Sequence, residues 1–474
     1  MYIKLGLFIG GKWIYEAKKG EDVLNPFDES VLGWLPHATE DNLNDAVKSA
    51  EKGFDEWRNT DPETRGRIIL KAADILSKRI SAVSEVMTLE QGKPLAESAG
   101  EINQSIAILK FNGTNAKLIK DDLVADRENG LKTLIKPQPL GVCLCLTAWN
   151  FPIALVIRKI APALAAGCSV IIKPSEETPG TAVEVVKIFL EAGLPKDVIN
   201  LVFGVPHEIS DYLLSRDEVK KVSFTGSVPV GKLLAKKSAE TLKRCTLELG
   251  GHSPAIIAED ADIEATLDIL TGFKFRNAGQ VCIAPSRFYV HEKIYDQVKD
   301  GFLKRIKNII LGNGMNEGVS MGPLSNSRRV DAMKDFVDDA VKNGSNIIYG
   351  GSRYKGVGYF WEPTLIENIN EGSKMMTQEI FGPILPLFKF KDYDDVIEKA
   401  NSLNFGLASY VYTTSKTLQE KMAKEIIAGG VSINTAAPMH PEIPYGGIKE
   451  SGIGYEGGMD AIYSYIHKKN INII

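Results

Sequence analysis

Residues 142–174 read VCLCLTAWNFPIALVIRKIAPALAAGCSVIIKP, in which two short apolar runs flank a stretch with helical spacing. VCLCLTAW predicts a strand, IRKIAPALAAG a helix and SVIIKP the next strand. Downstream, TAVEVVKIFLEAG, HEISDYLLS and VGKLLAKKSAE predict helices, and VINLVF and KVSFTG predict the strands between them. Strands that alternate with helices at this spacing are typical of a parallel sheet with crossover helices.

The alternation extends in both directions from this stretch. Residues 40–120 have apolar residues at helical spacing, and a second alternating block runs from TLELGGHSPAII through IIYGG and LPLFKF to VSINT. A length of 474 residues suits two or three domains. We therefore predict two open α/β domains with a cleft between them.

Two further segments predict strands outside those domains. LKTLIKPQPL, residues 131–140, has the alternation of one arm of a hairpin. The final segment, AIYSYIHKKNINII, ends in a run typical of a strand. Such a terminal strand pairs either with a partner subunit's sheet edge or with a strand of its own chain.

The composition excludes several classes of partner. Lys and Arg number 56 against 60 Asp and Glu, a net charge of −4, and no dense basic stretch indicates a nucleic acid partner. We expect no metal site, because none of the six histidines pairs with a cysteine at ligand spacing. The five cysteines form no CxxC pair, which is typical of reduced thiols in a cytoplasmic protein.

No membrane segment is expected. The N-terminal run LGLFIGGKWIYE predicts two short strands around Gly10 and Gly11 rather than a signal peptide. Residues 137–157 carry no charge and are long enough to cross a bilayer, but Asn150 and Pro152 interrupt them. A strand, a loop and a buried helix start fit this stretch better. The protein is expected to be soluble.

Three segments carry residues with catalytic potential. Cys282 in FRNAGQVCIAP is a candidate nucleophile, Glu248 in LELGGHSPAII a candidate general base, and Asn150 in LTAWNFP a candidate oxyanion donor. Each has a structural alternative: a buried small residue for Cys282, a solvated or capping carboxylate for Glu248, and a turn closed by Pro152 for Asn150. KVSFTGSVPVG, a strand followed by a glycine–serine turn, does not match GxGxxG and is a weak dinucleotide signal alone.

The order and spacing of these motifs, together with SVIIKPSEETP and QEIFGP, closely resemble the aldehyde dehydrogenase superfamily from about residue 8 to the C-terminus. The resemblance implies an α/β fold with a Rossmann-like cofactor domain, an α/β catalytic domain and a small β oligomerisation arm. The implied boundaries are 1–119, 140–247 and 441–456 for the first, 248–440 for the second, and 120–139 with 457–474 for the arm. A homodimer or homotetramer is implied as well.

The same resemblance implies roles for individual residues. Cys282 matches the nucleophile, Glu248 the base that activates the deacylating water, and Asn150 the oxyanion donor beside the backbone N–H of Cys282. Lys159 and Glu456 match a relay lysine and a second carboxylate. The residues matching the cofactor contacts are Trp149, Lys173, Glu176, Gly226, Ser227, Leu249, Glu379 and Phe381. The implied reaction is oxidation of an aldehyde through a thioester, with hydride passing to a nicotinamide dinucleotide.

Two arginines bear on the substrate. Arg158 and Arg276 resemble the pair that binds the distal carboxylate of succinate semialdehyde, a task that suits the planar guanidinium. Structural ion pairs are the alternative. EQGKPLAESAGEI also resembles the succinate-semialdehyde group, whereas the serine before the family's PFGG has no match in TAAPMHPEIPYGG. Ala284, two residues after the nucleophile, excludes a disulfide between neighbouring cysteines.

Other functions remain open at this point. Glutarate semialdehyde, 2-oxoglutarate semialdehyde and a neutral aldehyde are alternative substrates. A CoA-acylating enzyme needs no water-activating base, so Glu248 argues against that reaction. A non-catalytic binding protein on the same fold is the third alternative.

The cofactor prediction concerns Glu176, three residues after Lys173 at the end of a predicted strand. A carboxylate there accepts hydrogen bonds from both ribose hydroxyls of NAD and repels a 2′-phosphate. We therefore expect a preference for NAD, with NADP as the alternative cofactor. The competing interpretation is that Glu176 caps the helix that begins near Thr178.

Overall fold

The computed structural model describes residues 2–127, 130–354, 356–436 and 439–474. The predicted helical region upstream of the first buried strand is confirmed as four consecutive helices. In chain order the helices are α1 (Glu40–Trp57), α2 (Pro62–Ser77), α3 (Ile80–Gln91), α4 (Leu95–Asn115), α5 (Pro152–Ala166), α6 (Pro179–Ala192), α7 (Pro206–Ser215), α8 (Val228–Ala239), α9 (Ile263–Phe275), α10 (Tyr295–Ile306), α11 (Ser327–Lys342), α12 (Lys374–Thr377), α13 (Tyr393–Asn401), α14 (Lys416–Glu425) and α15 (Gly458–Tyr463).

The strands alternate with these helices through most of the chain. In order they are β1 (Leu7–Ile9), β2 (Lys12–Ile14), β3 (Gly20–Leu24), β4 (Val31–Pro36), β5 (Asp122–Asp126), β6 (Lys132–Pro139), β7 (Val142–Leu146), β8 (Ser169–Lys173), β9 (Ile199–Leu201), β10 (Val219–Thr225), β11 (Arg244–Glu248), β12 (Ser253–Ile257), β13 (Pro285–His291), β14 (Asn346–Tyr349), β15 (Thr364–Glu367), β16 (Ile384–Phe390), β17 (Ala408–Tyr412), β18 (Gly430–Ile433), β19 (Gly452–Ile453) and β20 (Ile466–Ile473).

The first large sheet has the strand order β19-β11-β10-β7-β8-β9-β1-β2. Its central strands β11, β10, β7, β8 and β9 are parallel, as the strand–helix alternation predicts. The predicted N-terminal strand pair is confirmed as antiparallel β1 and β2, joined at Gly10 and Gly11, whose φ angles are 57° and 79°. Glycine adopts this left-handed conformation without the strain that a Cβ would cause.

The second large sheet has the order β14-β15-β16-β13-β12-β17-β18. Its strands are parallel except for β14, which contains the IIY of IIYGG and runs antiparallel to β15 at the edge. Three separate apolar clusters fill the space between the sheets and their helices, the largest around the first sheet and the two smaller ones on the two faces of the second. The prediction of two open α/β units is therefore confirmed.

A three-stranded antiparallel sheet, β20-β6-β5, stands apart from both large sheets. The predicted hairpin is confirmed as β5 and β6, although residues 128–129 at its turn lie outside the described residues. The C-terminal strand β20 pairs with β6 of its own chain, from Ile466 opposite Pro139 to Ile473 opposite Lys132. Of the two predicted pairings, the chain therefore forms the internal one.

The uncharged stretch 137–157 does not form one helix. It contains the end of β6, all of β7 and the first turns of α5. Pro152 begins α5, and the Glu101 carboxylate accepts hydrogen bonds from the N–H groups of Ile153 and Ala154 at 3.1 and 3.0 Å. Among the described residues no helix is both long and apolar enough to cross a membrane.

The topology brings the predicted site residues to one edge of the first sheet. Strands β7, β8, β10 and β11 are parallel, so their carboxyl ends lie side by side, where open α/β sheets bind ligands. Asn150 follows β7, Lys173 ends β8, Gly226 follows β10 and Glu248 ends β11. This edge faces the segment that carries Cys282, which directly precedes β13 of the second sheet.

Two helical glycines predict opposite effects on stability. A Cβ on Gly53 in α1 would overlap the backbone of Asp197, whereas a Cβ on Gly100 in α4 would meet no atom within 4 Å. We expect Gly53→Ala to lower the free energy of unfolding by about 1–3 kcal/mol through overpacking. The matched control Gly100→Ala should raise it by roughly 0.5–1 kcal/mol, because alanine favours the helix. Denaturant unfolding of both variants measures the difference, and a shift of the same sign in both would contradict the packing argument.

Candidate active site

Two adjoining cavities lie between the two large sheets. The inner cavity, of about 310 Å³, is lined by Asn150, Arg158, Glu248 and Cys282 among others. The outer cavity, of about 1000 Å³, is lined by Lys173 and Glu176. The residues shared by both linings are Ala148, Trp149, Thr225, Gly226 and Ser227. A long ligand that enters by the outer cavity can therefore reach the Cys282 sulfur.

The turn before Cys282 holds an unusual backbone. Asn277, Ala278 and Gly279 have consecutive φ angles of 49°, 51° and 73°. Left-handed conformations at non-glycine residues cost roughly 1–3 kcal/mol each and persist only where the surroundings enforce them. At Gly279 a Cβ would overlap the carbonyl group of Gly382, which explains the glycine of the GQVC motif.

Gln280, the next residue of that motif, holds the turn in place. Its side-chain N–H donates to the Asn277 carbonyl at 3.0 Å, and its side-chain oxygen accepts from the Ser325 N–H at 2.9 Å. Gln280 is fully buried. A buried side chain with donor and acceptor both satisfied fixes the loop that presents Cys282.

The Cys282 thiol lies in the inner cavity, 3.6 Å from the hydroxyl oxygen of Tyr445. Burial raises the pKa of this thiol to about 12, the Tyr445 hydroxyl lowers it, and the carboxyl groups of Glu379 and Glu248 raise it further. The resting thiol is therefore protonated at neutral pH. Its conversion to a nucleophile requires a base and hydrogen-bond donors at the sulfur.

Glu248 ends β11 and is 4% exposed. Neither of its carboxylate oxygens has a hydrogen-bond partner among the described residues, so the alternative of a solvated or capping glutamate is wrong. Burial and the nearby Glu456 carboxylate raise the pKa of Glu248 well above its usual value, against the opposing effect of Lys159 and Arg158. A buried carboxylate with a raised pKa can act as a general base toward a water molecule in the cavity.

Asn150 contributes both its side chain and its carbonyl group. One side-chain N–H donates to the Gln280 carbonyl at 3.1 Å. Oδ1 accepts no hydrogen bond from the described residues, so the alternative prediction, an Asx turn at Asn150 and Pro152, is wrong. The Asn150 carbonyl accepts from Lys93 Nζ and from Asn277 Nδ2, both at 2.8 Å. The amide has a second N–H, which is available to an oxyanion formed next to Cys282.

A buried ion pair lies behind Glu248. Lys159 Nζ is 2.5 Å from Glu456 Oε1 and donates to Ser223 Oγ at 3.3 Å. Glu456 also lines the inner cavity. The predicted relay lysine and second carboxylate are therefore in contact with each other, and they border the base.

The outer cavity brings together the predicted ribose contacts. Lys173 Nζ is 2.5 Å from Glu176 Oε1, which also accepts from the Gly204 N–H at 3.4 Å. The alternative that Glu176 caps α6 is wrong, because the Glu90 carboxylate accepts from the first N–H groups of that helix, Gly180 at 2.7 Å and Thr181 at 2.9 Å. The sequence motif EQGKP, which begins with Glu90, gave no indication of this contact.

The remaining predicted cofactor residues line the passage between the cavities. Glu379 accepts from the Gly251 N–H at 3.1 Å, and the ring centre of Phe381 lies 5.6 Å from that of Trp149 in an edge-to-face contact. Gly226 and Ser227 border both cavities, and Leu249 borders the inner one. Ser227 is the N-cap residue of α8, whose free N–H groups favour an anion such as a pyrophosphate.

Two threonines indicate that the region where the two cavities meet suits a polar ligand. Thr147 and Thr225 line the outer cavity, and their hydroxyl oxygens are buried without a hydrogen-bond partner among the described residues. Unpartnered buried hydroxyls are costly unless a ligand or water satisfies them. The lining therefore fits a polar ligand such as a dinucleotide.

The two predicted substrate arginines differ in position. Arg158 lines the inner cavity, with Nη2 3.7 Å from Met439 Sδ and its guanidinium 5.8 Å from the centre of the Tyr445 ring. Arg276 is half-buried behind Phe151, 5.0 Å from the centre of that ring, and is not among the residues that line the cavity.

Several lining residues of the inner cavity were not predicted from the sequence. They are Gln104, Leu155, Met439 and Tyr445, with Met439 and Tyr445 in the stretch TAAPMHPEIPYGG that lacks the expected serine. Residues 437–438 of that stretch lie outside the described residues. The described residues contain no cluster of three or more His, Cys, Asp or Glu that could hold a metal ion.

Comparison with known proteins agrees with this geometry. Residues 13–471 match the sequence model of the aldehyde dehydrogenase family. The chain belongs to the aldehyde dehydrogenase family. The resemblance stated from the sequence motifs is thereby confirmed, and the protein is an oxidoreductase rather than a non-catalytic binding protein on the same fold.

Three curated relatives cover nearly the whole chain. A mitochondrial succinate-semialdehyde dehydrogenase of Oryza sativa is 37% identical over 98% of this chain and 88% of the relative. An NADP(+)-linked succinate-semialdehyde dehydrogenase of Escherichia coli is 35% identical over 97% of this chain and 96% of the relative. A glutarate-semialdehyde dehydrogenase of Pseudomonas aeruginosa is 34% identical over 98% and 96%.

The fold of this aldehyde dehydrogenase also matches solved structures. A betaine aldehyde dehydrogenase of Staphylococcus aureus, in complex with NAD+, superposes with a TM-score of 0.96 at 33% identity. The match covers 98% of this chain and 94% of that one. The predicted α/β fold is therefore confirmed over the full length.

Proposed function

We propose that this aldehyde dehydrogenase oxidises a short semialdehyde with a distal carboxylate, first of all succinate semialdehyde, to the corresponding diacid. The observation that carries the proposal is Arg158. It lines the inner cavity, is 5% exposed, and forms no salt bridge within the described residues. A buried guanidinium without a carboxylate is costly, and an anionic substrate would compensate its charge.

The protein's own groups account for the chemical steps. The Cys282 sulfur attacks the aldehyde carbon, and the side-chain N–H of Asn150 with the backbone N–H of Cys282 holds the resulting oxyanion. The adduct becomes the thioester by losing a hydride from the former aldehyde carbon, and a nicotinamide dinucleotide held beside Glu379 and Phe381 would supply the hydride acceptor. Glu248 then takes a proton from water as it attacks the thioester, and the acid leaves. The Lys159–Glu456 pair beside Glu248 offers a path for that proton.

The size and lining of the inner cavity support a short substrate. The whole inner cavity measures about 310 Å³, and this volume includes the space beside the predicted cofactor residues Glu379 and Phe381. Gln104 and Met439 occupy the end of the cavity with Arg158, and no serine is present there among the described lining residues. Glutarate semialdehyde, the substrate in the name of one relative, is the alternative, since it differs by one methylene.

Arg276 is the second candidate for the carboxylate. Its guanidinium lies 5.0 Å from the centre of the Phe151 ring, and Phe151 lines the inner cavity. Since Phe151 lies between Arg276 and the cavity, we assign the direct contact to Arg158. Arg276 would then act over a longer distance, or would reach the substrate after the Phe151 ring moves.

For the cofactor we propose NAD in preference to NADP. The Glu176 carboxylate, paired with Lys173 in the outer cavity, accepts hydrogen bonds from ribose hydroxyls and repels a 2′-phosphate. Burial raises the pKa of Glu176, whereas Lys173 lowers it. Relatives include one named for NADP and a structure in complex with NAD+, so the family accommodates both cofactors.

We also propose that the cofactor domain, the catalytic domain and the arm have separate functions, and that the protein forms a homo-oligomer. Residues 1–119, 140–247 and 441–456 would bind the cofactor, and 248–440 would carry Cys282. The arm formed by 120–139 and 457–474 would join subunits, because β20 and β5 form the two edges of its sheet. Five free cysteines support a cytoplasmic location.

Replacing the cavity arginine tests the substrate proposal. Arg158→Leu should raise the Michaelis constant for succinate semialdehyde at least roughly tenfold more than for a neutral aldehyde of similar length, because loss of a buried charge pair costs on the order of 2–5 kcal/mol. Arg276→Leu, the matched control, should also raise the Michaelis constant more for succinate semialdehyde than for the neutral aldehyde, but by a smaller factor. Steady-state kinetics on both aldehydes measures it, and equal losses on both substrates in Arg158→Leu would overturn the assignment.

Replacing the ribose carboxylate tests the cofactor proposal. Glu176→Ser should lower kcat/KM for NAD and raise it for NADP, because the repulsion of the 2′-phosphate disappears while Lys173 remains to bind it. The wild-type enzyme should favour NAD. Specificity constants with both dinucleotides, at one saturating aldehyde concentration, provide the measurement. A wild type that favours NADP would refute the role of Glu176 and leave that of Cys282 untouched.

A further inference from the structure

Tyr445 occupies the second position of PYGG, residues 444–447, where the family motif described above is PFGG. Relative to that motif, Tyr445 keeps the aromatic ring and carries a phenol oxygen in addition. It lies 3.6 Å from the Cys282 sulfur, a separation suited to a hydrogen bond with sulfur. Among the described residues, no other side chain hydrogen-bonds to that sulfur.

The backbone holds the phenol in place. The Tyr445 N–H donates to the Glu456 carbonyl at 2.6 Å, and the Glu456 N–H donates to the Tyr445 carbonyl at 2.7 Å. Glu456 is itself fixed by the buried ion pair with Lys159. The ring also faces the guanidinium of Arg158. Tyr445 is thus anchored by the same groups that surround Glu248.

We propose that Tyr445 is a catalytic hydrogen-bond donor to the Cys282 sulfur. The inference rests on Cys282 being the nucleophile of the proposed function. In acylation, the donor stabilises the thiolate that attacks the aldehyde carbon. In deacylation, it stabilises the same sulfur as the carbon–sulfur bond breaks and the electron pair returns to it. The phenol keeps its proton throughout.

The direction of the hydrogen bond follows from acidity. A thiol is ordinarily more acidic than a phenol, so the first proton to leave the pair is that of Cys282. Burial also raises the pKa of Tyr445 well above its usual value, and the neighbouring Cys282 and Glu248 raise it further. Tyr445 therefore remains a donor whenever the sulfur is charged.

The surroundings of the sulfur make such a donor important. Cys282 lies near two carboxyl groups, Glu248 and Glu379, and both oppose a negative sulfur. Burial opposes it as well. Hydrogen bonds to charged groups are stronger than neutral ones, and a buried ion without donors is the costly case. The Tyr445 hydroxyl, held in a fixed position, stabilises the Cys282 thiolate by donating a hydrogen bond to it.

Tyr445→Phe in the full-length enzyme tests the proposal, because it removes the oxygen and keeps the ring. We expect iodoacetamide to alkylate Cys282 about tenfold more slowly at neutral pH, with the rise in rate displaced to higher pH. The smaller phenylalanine cannot block the reagent, so access does not explain a slower reaction. Tyr295→Phe, which removes a hydroxyl bonded to Glu367 at 3.3 Å far from the sulfur, is the matched control.

A second measurement addresses deacylation. Rapid mixing of Tyr445→Phe with NAD and succinate semialdehyde should show a slower steady rate after the first turnover, with NAD affinity unchanged. Alkylation and turnover equal to wild type, or faster, would overturn the proposal. Since alkylation needs neither substrate nor cofactor, it separates failure of this inference from failure of the proposed function, in which Cys282→Ala would retain dehydrogenase activity.

Discussion

The carbonyl oxygen of Asn150 is the junction of the active site, because two hydrogen bonds of 2.8 Å tie it to the Lys93 ammonium and the Asn277 amide. Lys93 is fully buried and paired with Glu101, whose carboxylate also receives the first N–H groups of α5. Asn277 belongs to the strained turn before Cys282. One backbone atom thus joins the end of β7, the helix α4 and the nucleophile loop. Loss of either partner would leave a buried polar group unsatisfied.

The hydrogen bonds around the Asn150 carbonyl hold the site together although it contains several buried ionisable groups. Burial raises the pKa of Cys282, of Glu248 and of Glu379, the last to about 7. Such groups are costly in a folded protein and cluster where chemistry requires them. Lys159 and Arg158 place compensating positive charge near Glu248, whereas Glu456 opposes ionisation of Glu248. The inner cavity therefore holds a protonated thiol and a buried carboxyl group with a raised pKa side by side.

The sequence predicted what depends on local pattern. Strand–helix alternation predicted the parallel sheet, and the motifs placed Asn150 and Glu248 at the carboxyl ends of two of its strands, which flank β10 in the structure. The contacts of Lys93 and Tyr445 were not predictable, because they join residues far apart in the chain. Arg276 illustrates the same limit, since its position against the Phe151 ring and outside the lining of the inner cavity does not follow from sequence spacing. Resemblance to the family identified the candidate site residues, whereas their contacts with one another are known only from the structure.

The most direct measurement is the covalent state of Cys282 during turnover. Glu248→Gln lacks the base for deacylation, so acid quenching soon after mixing with succinate semialdehyde and NAD should trap the intermediate. The account predicts a succinyl thioester on the peptide that contains Cys282, together with about one reduced nucleotide per active site. Steady turnover with no adduct, or an adduct on another residue such as Cys245, would contradict it.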